Sequence, residues 1–354
     1  MEMMDLDVIW QDYGLDKLEE GMQQLFPKSS LSLDSLLTQV MKGDIFGALK
    51  GLFTGALADF TSQLSGVRNV FIWLLVLGIV SALMTHFVEI FNRRQVADIG
   101  FYFMYLLFSV VILKCFYQAG QTAMSALDNV IVFIQMMIPA YLITVGVSTG
   151  AVTAGASCQL MIFVIYGVQE ILAQGIVPLI YSMSMLAVIN GIWVEEKLTL
   201  IIELLEKGIG WVLKAAVGVV TGLSIFQALI TPVVDSASTS VLQKLITAIP
   251  GVGNTAGGIT ELVLGSATVI KNSVGVVLLI LFLVMCTAPL VKIVVIAGML
   301  KCAAAFIGIV SDKRITACAN RTGDAGLLLF RTVGTAMLLF LISVAVITSS
   351  VRVL

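Results

Sequence analysis

Long apolar runs alternate with short polar segments along the chain from residue 70 onwards. A run of about 20 apolar residues can cross a hydrocarbon core about 30 Å thick as a helix. The pattern therefore predicts an all-α, polytopic helical membrane protein with about eight crossings. The predicted spans are 70–90, 99–119, 127–147, 151–169, 171–193, 209–230, 273–310 and 325–347.

Residues 1–66 precede the first span and have a different pattern. Apolar residues recur there at helical spacing, as in Ile9, Leu15, Leu18 and Met22, which predicts an amphipathic helical leader. Such helices either lie on a membrane surface and contact a partner, or form a cap on the membrane body. The pattern is compatible with both arrangements.

Two segments between the later spans are polar enough to interrupt the membrane pattern. Residues 195–207 combine a polar stripe with an apolar face, which predicts a helix lying in the membrane interface. The pattern of residues 233–272 predicts a loop followed by a partial helix. A glycine-rich turn in this stretch precedes a predicted re-entrant segment that carries Glu261, Lys271 and Asn272.

Two prolines lie inside long apolar blocks, Pro139 in the first and Pro289 in the second. Proline removes a helical hydrogen bond, so both blocks are predicted to contain broken helices. Helices broken at matching positions of two halves are typical of secondary transporters, whose substrate sites lie near the midplane. An autonomous transporter of a small solute, with a site at these prolines and Lys292, is therefore one functional hypothesis.

Small residues recur where helices are expected to meet. Gly146 and Gly150 form one GxxxG pair, and Gly218 and Gly222 form another. These glycines predict close helix packing, with a pore lining as the alternative interpretation.

The composition narrows the class of protein. Hydrophobic residues make up 59% of the chain and charged residues 12%, with a mean hydropathy of +1.04. These values exclude a soluble enzyme, a disordered chain and a nucleic-acid binder.

The distribution of charge predicts the topology. Residues 1–66 carry ten acidic residues and four lysines, whereas the remaining chain carries twelve acidic and sixteen basic residues. Basic residues in short loops remain in the cytoplasm. The basic residues that indicate the topology are Arg93, Arg94, Lys313, Arg314 and Arg321. With eight spans, all five lie on the cytoplasmic side of the membrane, and both the leader and the C-terminus lie outside.

Charged residues inside the predicted spans are candidates for function, because a charge in the hydrocarbon core is costly. Most lie near predicted span ends, where long side chains reach the interface. Lys292 and Lys301 are the exceptions, and the sequence leaves open whether they pair with Glu261 or mark interfacial ends of a broken span.

The chain offers few groups for catalysis or metal binding. His86 is the single histidine, and the five cysteines occur singly without CxxC spacing. We expect no enzymatic activity, no metal and no cofactor, and an intramembrane enzyme is the weakest hypothesis.

Several short motifs follow one another in a specific order and spacing along the chain. They are Ile138-Pro139-Ala140-Tyr141, Ile249-Pro250-Gly251-Val252-Gly253, Val269-Ile270-Lys271-Asn272-Ser273-Val274-Gly275, Ala288-Pro289-Leu290-Val291-Lys292-Ile293 and Gly323-Asp324. Their order resembles that of the stage III sporulation protein AE family, the polytopic member of the sporulation stage III A operon. The likeness covers essentially the whole chain.

The resemblance implies a subunit of a secretion-like transenvelope channel between mother cell and forespore, in the mother-cell-derived membrane around the forespore. It implies partners from the same operon, including a secretion-type ATPase and ring-forming subunits, and insertion by a YidC-type insertase. No nucleic acid is expected, and a homo-oligomer is a further alternative. Family members commonly begin with a signal peptide, whereas residues 1–20 have no basic region followed by an apolar one. We therefore expect either a cytoplasmic leader or one exported by a signal outside this sequence.

Overall fold

The computed structural model describes residues 94–149, 152–193, 197–247, 253–309 and 312–350, together with residues 47, 69, 72, 73, 75, 76, 78–80 and 83. The described parts are helical apart from short turns. The helices are α1 (Arg94–Thr149), α2 (Val152–Ile171), α3 (Val177–Asn190), α4 (Thr199–Thr247), α5 (Gly253–Gly308) and α6 (Lys313–Ser350). The predicted leader lies almost wholly outside the described residues.

Helices α5 and α6 form an antiparallel pair over the part of α5 from Phe282 to Gly308. Contacts link Gly308 with Thr316 near the turn, and Phe282 with Phe340 far from it. Between these contacts, a Cβ atom added to Gly326 would lie 2.9 Å from the Cβ of Ala297. In a bilayer, helices gain little from burying apolar surface against each other, so such close packing is what holds the pair together.

Helix α1 packs against both α3 and the α5–α6 pair. The Tyr105 hydroxyl donates a 2.6 Å hydrogen bond to the Val188 carbonyl, and the Phe116 ring contacts Tyr181 edge-on. Further along α1, Phe133 lies with its ring centroid 5.5 Å from that of Phe282. These contacts bury one face of α1 in the core.

The predicted spans 99–119 and 127–147 lie in one helix. Residues Gly120–Ser125, which that assignment leaves as a loop between two spans, are part of α1, which is continuous over 56 residues. A helix satisfies every backbone N–H and C=O within the segment, whereas an open loop in lipid leaves them unpaired. The polar side chains that suggested a loop lie instead on the face of a helix.

The boundary between the predicted spans 151–169 and 171–193 is followed by a π-helical turn. Leu172–Ile176 forms this turn between α2 and α3, and the Val177 amide donates to the Leu172 carbonyl. A π turn inserts an extra residue without interrupting the helix. The predicted spans 151–169 and 171–193 are thus replaced by one helical segment from Val152 to Asn190.

Helix α4 replaces the predicted interfacial helix at 195–207 and the separate span at 209–230. It begins at Thr199 and continues to Thr247, so part of the predicted 233–272 loop is helical. The remaining part of that loop lies largely in α5, which begins at Gly253.

The prediction of a broken helix at 273–310 is also wrong, because α5 continues through Pro289. Pro139 likewise lies inside α1. A proline removes one backbone hydrogen bond, but ending the helix in an apolar environment would leave several groups unpaired.

Five helices in the described part are long and apolar enough to cross a membrane: Ile99–Gln135, Phe163–Asn190, Thr199–Phe226, Gly275–Gly308 and Lys313–Ser343. The fold class of a polytopic helical membrane protein is confirmed. The sequence predicts seven spans over the same stretch, because polar interruptions inside α1 and between α2 and α3 resemble loops. Large apolar side chains on the outer surface, such as Phe163 and Trp211, face where lipid would lie.

Candidate functional site

A stripe of polar side chains runs along the middle of α1. Apart from one adjacent pair, its successive members are three or four residues apart, the spacing of one helix face. Small and apolar residues of the same stretch, including Ala119, Ala123 and Leu127, are buried in the core. The polar stripe consists of Gln118, Gln121, Thr122, Ser125 and Asn129.

Hydrogen bonds within α1 hold part of this stripe in place. The Gln121 Nε2 donates to the Tyr117 hydroxyl at 2.9 Å, and the Thr122 hydroxyl donates to the Gln118 carbonyl at 2.8 Å. Both bonds join residues four apart, so helix geometry alone sets them. The stripe therefore needs no other element to orient these groups.

Helix α5 provides the opposite wall of a groove. Met285, Ala288, Pro289 and Lys292 line it, facing the polar stripe across a cavity of about 490 Å³. We call this cavity the α1–α5 groove. Since Pro289 has no N–H, it donates no hydrogen bond to the carbonyl four residues earlier, which adds an acceptor to this part of α5.

The groove brings together two residues that the sequence singled out, Pro289 and Lys292. It does so without breaking the helix that carries them. The sequence interpretation missed the polar stripe, because it assigned residues 120–125 to a loop. The helical spacing of Gln118, Thr122, Ser125 and Asn129 is the signal that could have identified it.

Other predicted site residues are helical, but their side-chain surroundings lie outside the described part. Pro139 and Gly146 belong to α1, and Gly150 falls in the undescribed gap after it. Glu261, Lys271 and Asn272 belong to α5 rather than to a separate re-entrant segment. The predicted pairing of Glu261 with Lys292 or Lys301 stays a prediction.

The Gly218 and Gly222 pair does not mediate packing within the described part of the chain. No side-chain or other-element atom lies within 4 Å of a Cβ added at either position. The close approaches of helices occur at other glycines. Gly120 lies against the Tyr181 ring and Gly191 against the Tyr105 ring.

The ends of several helices meet at one end of the bundle, which we call the basic end. The Arg314 guanidinium lies 3.6 Å from the centroid of the Phe101 ring, two turns after the start of α1. Asp312 caps α6 by accepting from the Arg314 amide at 2.8 Å and pairs with the Arg314 side chain at 3.2 Å. Arg94 begins α1, Lys313 begins α6, and Arg93 lies outside the described residues.

Arg321 contributes to the same end of the bundle. Its Nη2 donates to the Thr199 hydroxyl at 3.2 Å, at the start of α4. Asn190 closes the turn between α3 and α4 by accepting from the Leu198 amide at 2.8 Å. The compartment that the basic end faces stays a prediction from the positive-inside rule.

Lys301 has partners that the sequence interpretation did not foresee. Its ammonium pairs with Asp324 at 2.6 Å and donates to Asn320 at 2.7 Å. The Lys301 stem also lies against Gly323, where an added Cβ would be 3.0 Å away. This charge is therefore neutralised between α5 and α6.

The groove and the basic end differ in chemistry. Within the described residues, the groove combines hydroxyl and amide groups with the single charged side chain of its lining, Lys292. It can hold water and hydrogen-bond a polar group, whereas the ion pairs at the basic end join helices.

Comparison with known proteins identifies relatives over most of the chain. The profile of the stage III sporulation protein AE family matches residues 31–351. A stage III sporulation protein AE from Bacillus subtilis (strain 168) is 24% identical over 263 residues, covering 73% of this chain and 65% of that relative. The match thus covers slightly less than two thirds of the relative's length. No solved structure matches. Because the family profile covers most of the sequence, the chain belongs to the stage III sporulation protein AE family.

Proposed function

We propose that the chain is a non-enzymatic membrane subunit of the secretion-like transenvelope channel between mother cell and forespore. The observation that carries this proposal is the family match over residues 31–351. The polytopic helical bundle supports it, since such a channel requires subunits embedded in the bilayer.

The proposed location is the mother-cell-derived membrane around the forespore. In this membrane, the basic end of the protein would face the mother-cell cytoplasm, following the positive-inside rule. Its proposed partners are other stage III A operon proteins, namely a secretion-type ATPase and ring-forming subunits, with a YidC-type insertase assisting insertion. Two or more copies of the chain in one assembly form part of the same proposal.

A deletion and complementation experiment tests this role. The gene is deleted in its own host, and a fluorescent reporter of late forespore gene expression is followed after engulfment. We expect the deletion to abolish the late reporter and heat-resistant spores, and the full chain expressed in the mother cell to restore both. A normal spore yield from the deletion strain would contradict the proposal.

Crosslinking addresses the partners separately. An affinity tag on the complementing chain, followed by crosslinking after engulfment, should retrieve the secretion-type ATPase or ring-forming proteins. The matched control is the same tagged chain expressed during vegetative growth, which should retrieve neither. Complementation without either partner in the crosslinked material would support a sporulation role outside the channel.

The α1–α5 groove favours a second candidate function, an autonomous secondary transporter. Pro289 and Lys292 line this polar cavity within a candidate membrane span. Purified chain in liposomes should then move a small solute without partners, and Pro289→Ala or Lys292→Gln should reduce the flux. Transport that requires the ATPase would argue for the channel subunit instead.

A further inference from the structure

The core between α1, α3 and α6 contains two buried hydroxyl groups that differ from the others. Ser109 is 4% exposed and Ser184 is 0% exposed, yet neither hydroxyl has a hydrogen-bond partner in the part of the chain that the structure describes. The other buried serines and threonines of that part each donate to the carbonyl four residues earlier in the same helix. They are Ser224, Thr322, Thr332 and Ser343. Since a helix offers every serine this bond, the surroundings of the two exceptions must differ.

The packing of α1 against α3 places the two serines at the same level. The Tyr105 hydroxyl donates to the Val188 carbonyl, and further contacts lie later in α1 and earlier in α3, so the two helices are antiparallel. Ser109 lies one turn after Tyr105 in α1, and Ser184 lies one turn before Val188 in α3. Residues four apart share a helix face, so both serines belong to the faces that meet. The two unpaired hydroxyls therefore share one buried region.

Aromatic rings separate α1 from α3 on both sides of this level. The Tyr105 side chain reaches from α1 to the α3 backbone on one side, and the Phe116 ring meets the Tyr181 ring on the other. Serine side chains are much shorter than these rings. Ser109 and Ser184 therefore face each other across a distance that neither hydroxyl bridges directly.

Two further polar groups adjoin the serines. The Tyr105 hydroxyl lies near the Ser109 hydroxyl, without the geometry of a hydrogen bond, and also near the Cys318 thiol of α6. The Tyr105 proton is donated to Val188, which leaves the phenol oxygen available as an acceptor. The region thus combines two hydroxyls without partners, a phenol oxygen and a small thiol.

A single water molecule matches this set of groups. Water accepts two hydrogen bonds and donates two, so it can accept from both serines and donate to the Tyr105 oxygen. The Cys318 sulfur is a weak acceptor for its second proton. Buried water typically makes about three hydrogen bonds to polar groups that otherwise lack partners. Without it, two hydroxyls would stay buried and unpaired, which is unfavourable.

We propose that α1, α3 and α6 enclose a binding site for an ordered water molecule, held by Ser109, Ser184 and the Tyr105 hydroxyl. Ser109 lies ten residues after Ile99, and Ser184 lies six residues before Asn190, the limits of their candidate spans. At about 1.5 Å per residue, the site lies roughly 9–15 Å inside these limits. The bound water joins α1 to α3 by a polar contact, in a setting where apolar burial contributes little to helix association.

Hydroxyl-radical footprinting on the purified wild-type chain in phosphatidylcholine nanodiscs tests for the bound water. X-rays generate radicals from water, including water inside a protein, and mass spectrometry measures the oxidation rate of each cysteine. Cys115, Cys286 and Cys318 are each 1–2% exposed, and of these three Cys318 adjoins the proposed site. We expect Cys318 to be oxidised severalfold faster than the other two. Equal rates for the three cysteines would overturn the proposal.

Removal of both hydroxyls should abolish this difference. In the double variant Ser109→Ala/Ser184→Ala the water loses two of its partners, so we expect the oxidation rate of Cys318 to fall to that of the other buried cysteines. Ser343→Ala is the matched control, because this buried serine bonds to its own helix and should leave the rate unchanged. An undiminished rate in the double variant would mean that Cys318 is oxidised independently of the serines, which contradicts the proposal.

Unfolding by increasing SDS measures the coupling between the two serines. Each single variant, Ser109→Ala or Ser184→Ala, should raise the unfolding equilibrium constant severalfold, because the remaining hydroxyl loses its bridge. The double variant should raise it about threefold or more below the product of the two single effects. Ser109→Ala combined with Ser343→Ala should give the full product. Independent effects of Ser109 and Ser184 would show that each bonds to its own helix, and the proposal would fail.

Discussion

At the scale of single residues, one glycine allows a close approach between α5 and α6. Gly326 is buried, and its position allows the Ala297 Cβ to approach its backbone. Gly334 lies two turns further along the same helix, where an added Cβ would meet no described residue outside its own turn within 4 Å. Two glycines of one helix therefore have different roles.

Replacing Gly326 with alanine should destabilise the protein by about 1–3 kcal/mol, because the two helices must separate. Gly334→Ala should be neutral or stabilise by up to about 1 kcal/mol, since alanine favours the helix. Unfolding of the purified protein in mixed micelles by increasing SDS, followed by circular dichroism, measures both. Equal stabilities for the two variants would show that α5 and α6 are not in close contact at Gly326.

The Lys301–Asp324 ion pair is a second contact between single residues that stabilises the packing of α5 against α6. Both side chains are about one third exposed, and Lys301 also donates to Asn320. Asp324→Asn should cost about 1–3 kcal/mol in the same unfolding assay, because a partly buried ammonium loses its counter-charge. Glu203→Gln removes the exposed partner of Lys207 and should cost less than about 0.5 kcal/mol. A similar loss in both variants would argue that the Lys301 pair is solvated.

At the scale of elements, the helices are longer than the sequence pattern predicts. Polar residues inside α1 resemble a loop in a one-dimensional pattern, but their spacing follows one face of a helix. The same reasoning applies to the π turn at Leu172–Ile176, which absorbs an extra residue where a break is predicted. The physical cause in both cases is the cost of unpaired backbone groups in lipid.

A proline substitution distinguishes a continuous α1 from the predicted loop. Ser125→Pro should destabilise the protein by about 3 kcal/mol or more, because it removes a helical hydrogen bond and crowds the preceding turn. Ser125→Ala controls for the loss of the hydroxyl and should have a small effect. Lys313→Pro, at the first position of α6, should also be tolerated. If Ser125→Pro is as stable as Ser125→Ala in SDS unfolding, then residues 120–125 form a loop after all.

At the scale of the whole molecule, the packing of the helices brings several basic residues to the same end of the bundle. Arg314 contacts Phe101 and Arg321 contacts Thr199, so the starts of α1, α4 and α6 lie near one another. If each candidate span crosses once, α1 carries the chain from the basic end to the opposite side. Two crossings by residues 99–147, as the sequence predicts, would return it to the same side.

Cysteine labelling separates these two topologies. Arg94→Cys and Thr149→Cys are each introduced into a Cys302→Ser background and treated with a membrane-impermeant maleimide. We expect Thr149→Cys to react in intact cells and Arg94→Cys to react only after permeabilisation, because a single crossing separates them. Labelling is compared with the parent lacking the new cysteine. Reaction of both positions under the same condition would restore the two-span interpretation.

The sequence predicted the class of the fold better than its elements. Apolar runs identified a helical membrane protein, and the order of motifs identified the family. The sequence also singled out Pro289 and Lys292, which the structure places in one groove. It missed the polar stripe of α1, because residues 120–125 were assigned to a loop. It also missed the partners of Lys301, because they lie on another helix.

The sequence alone determines the properties that depend on one segment, whereas the tertiary structure decides those that depend on contacts between helices. Whether a segment can lie in lipid depends on its own length and polarity, so the sequence by itself determined that the chain is a polytopic helical protein. Whether a polar residue belongs to a loop, an ion pair or a groove depends on what faces it across a helix interface. Only the packing of α1 and α6 against α5 decided that Ser125 lies opposite Lys292 and that Lys301 pairs with Asp324.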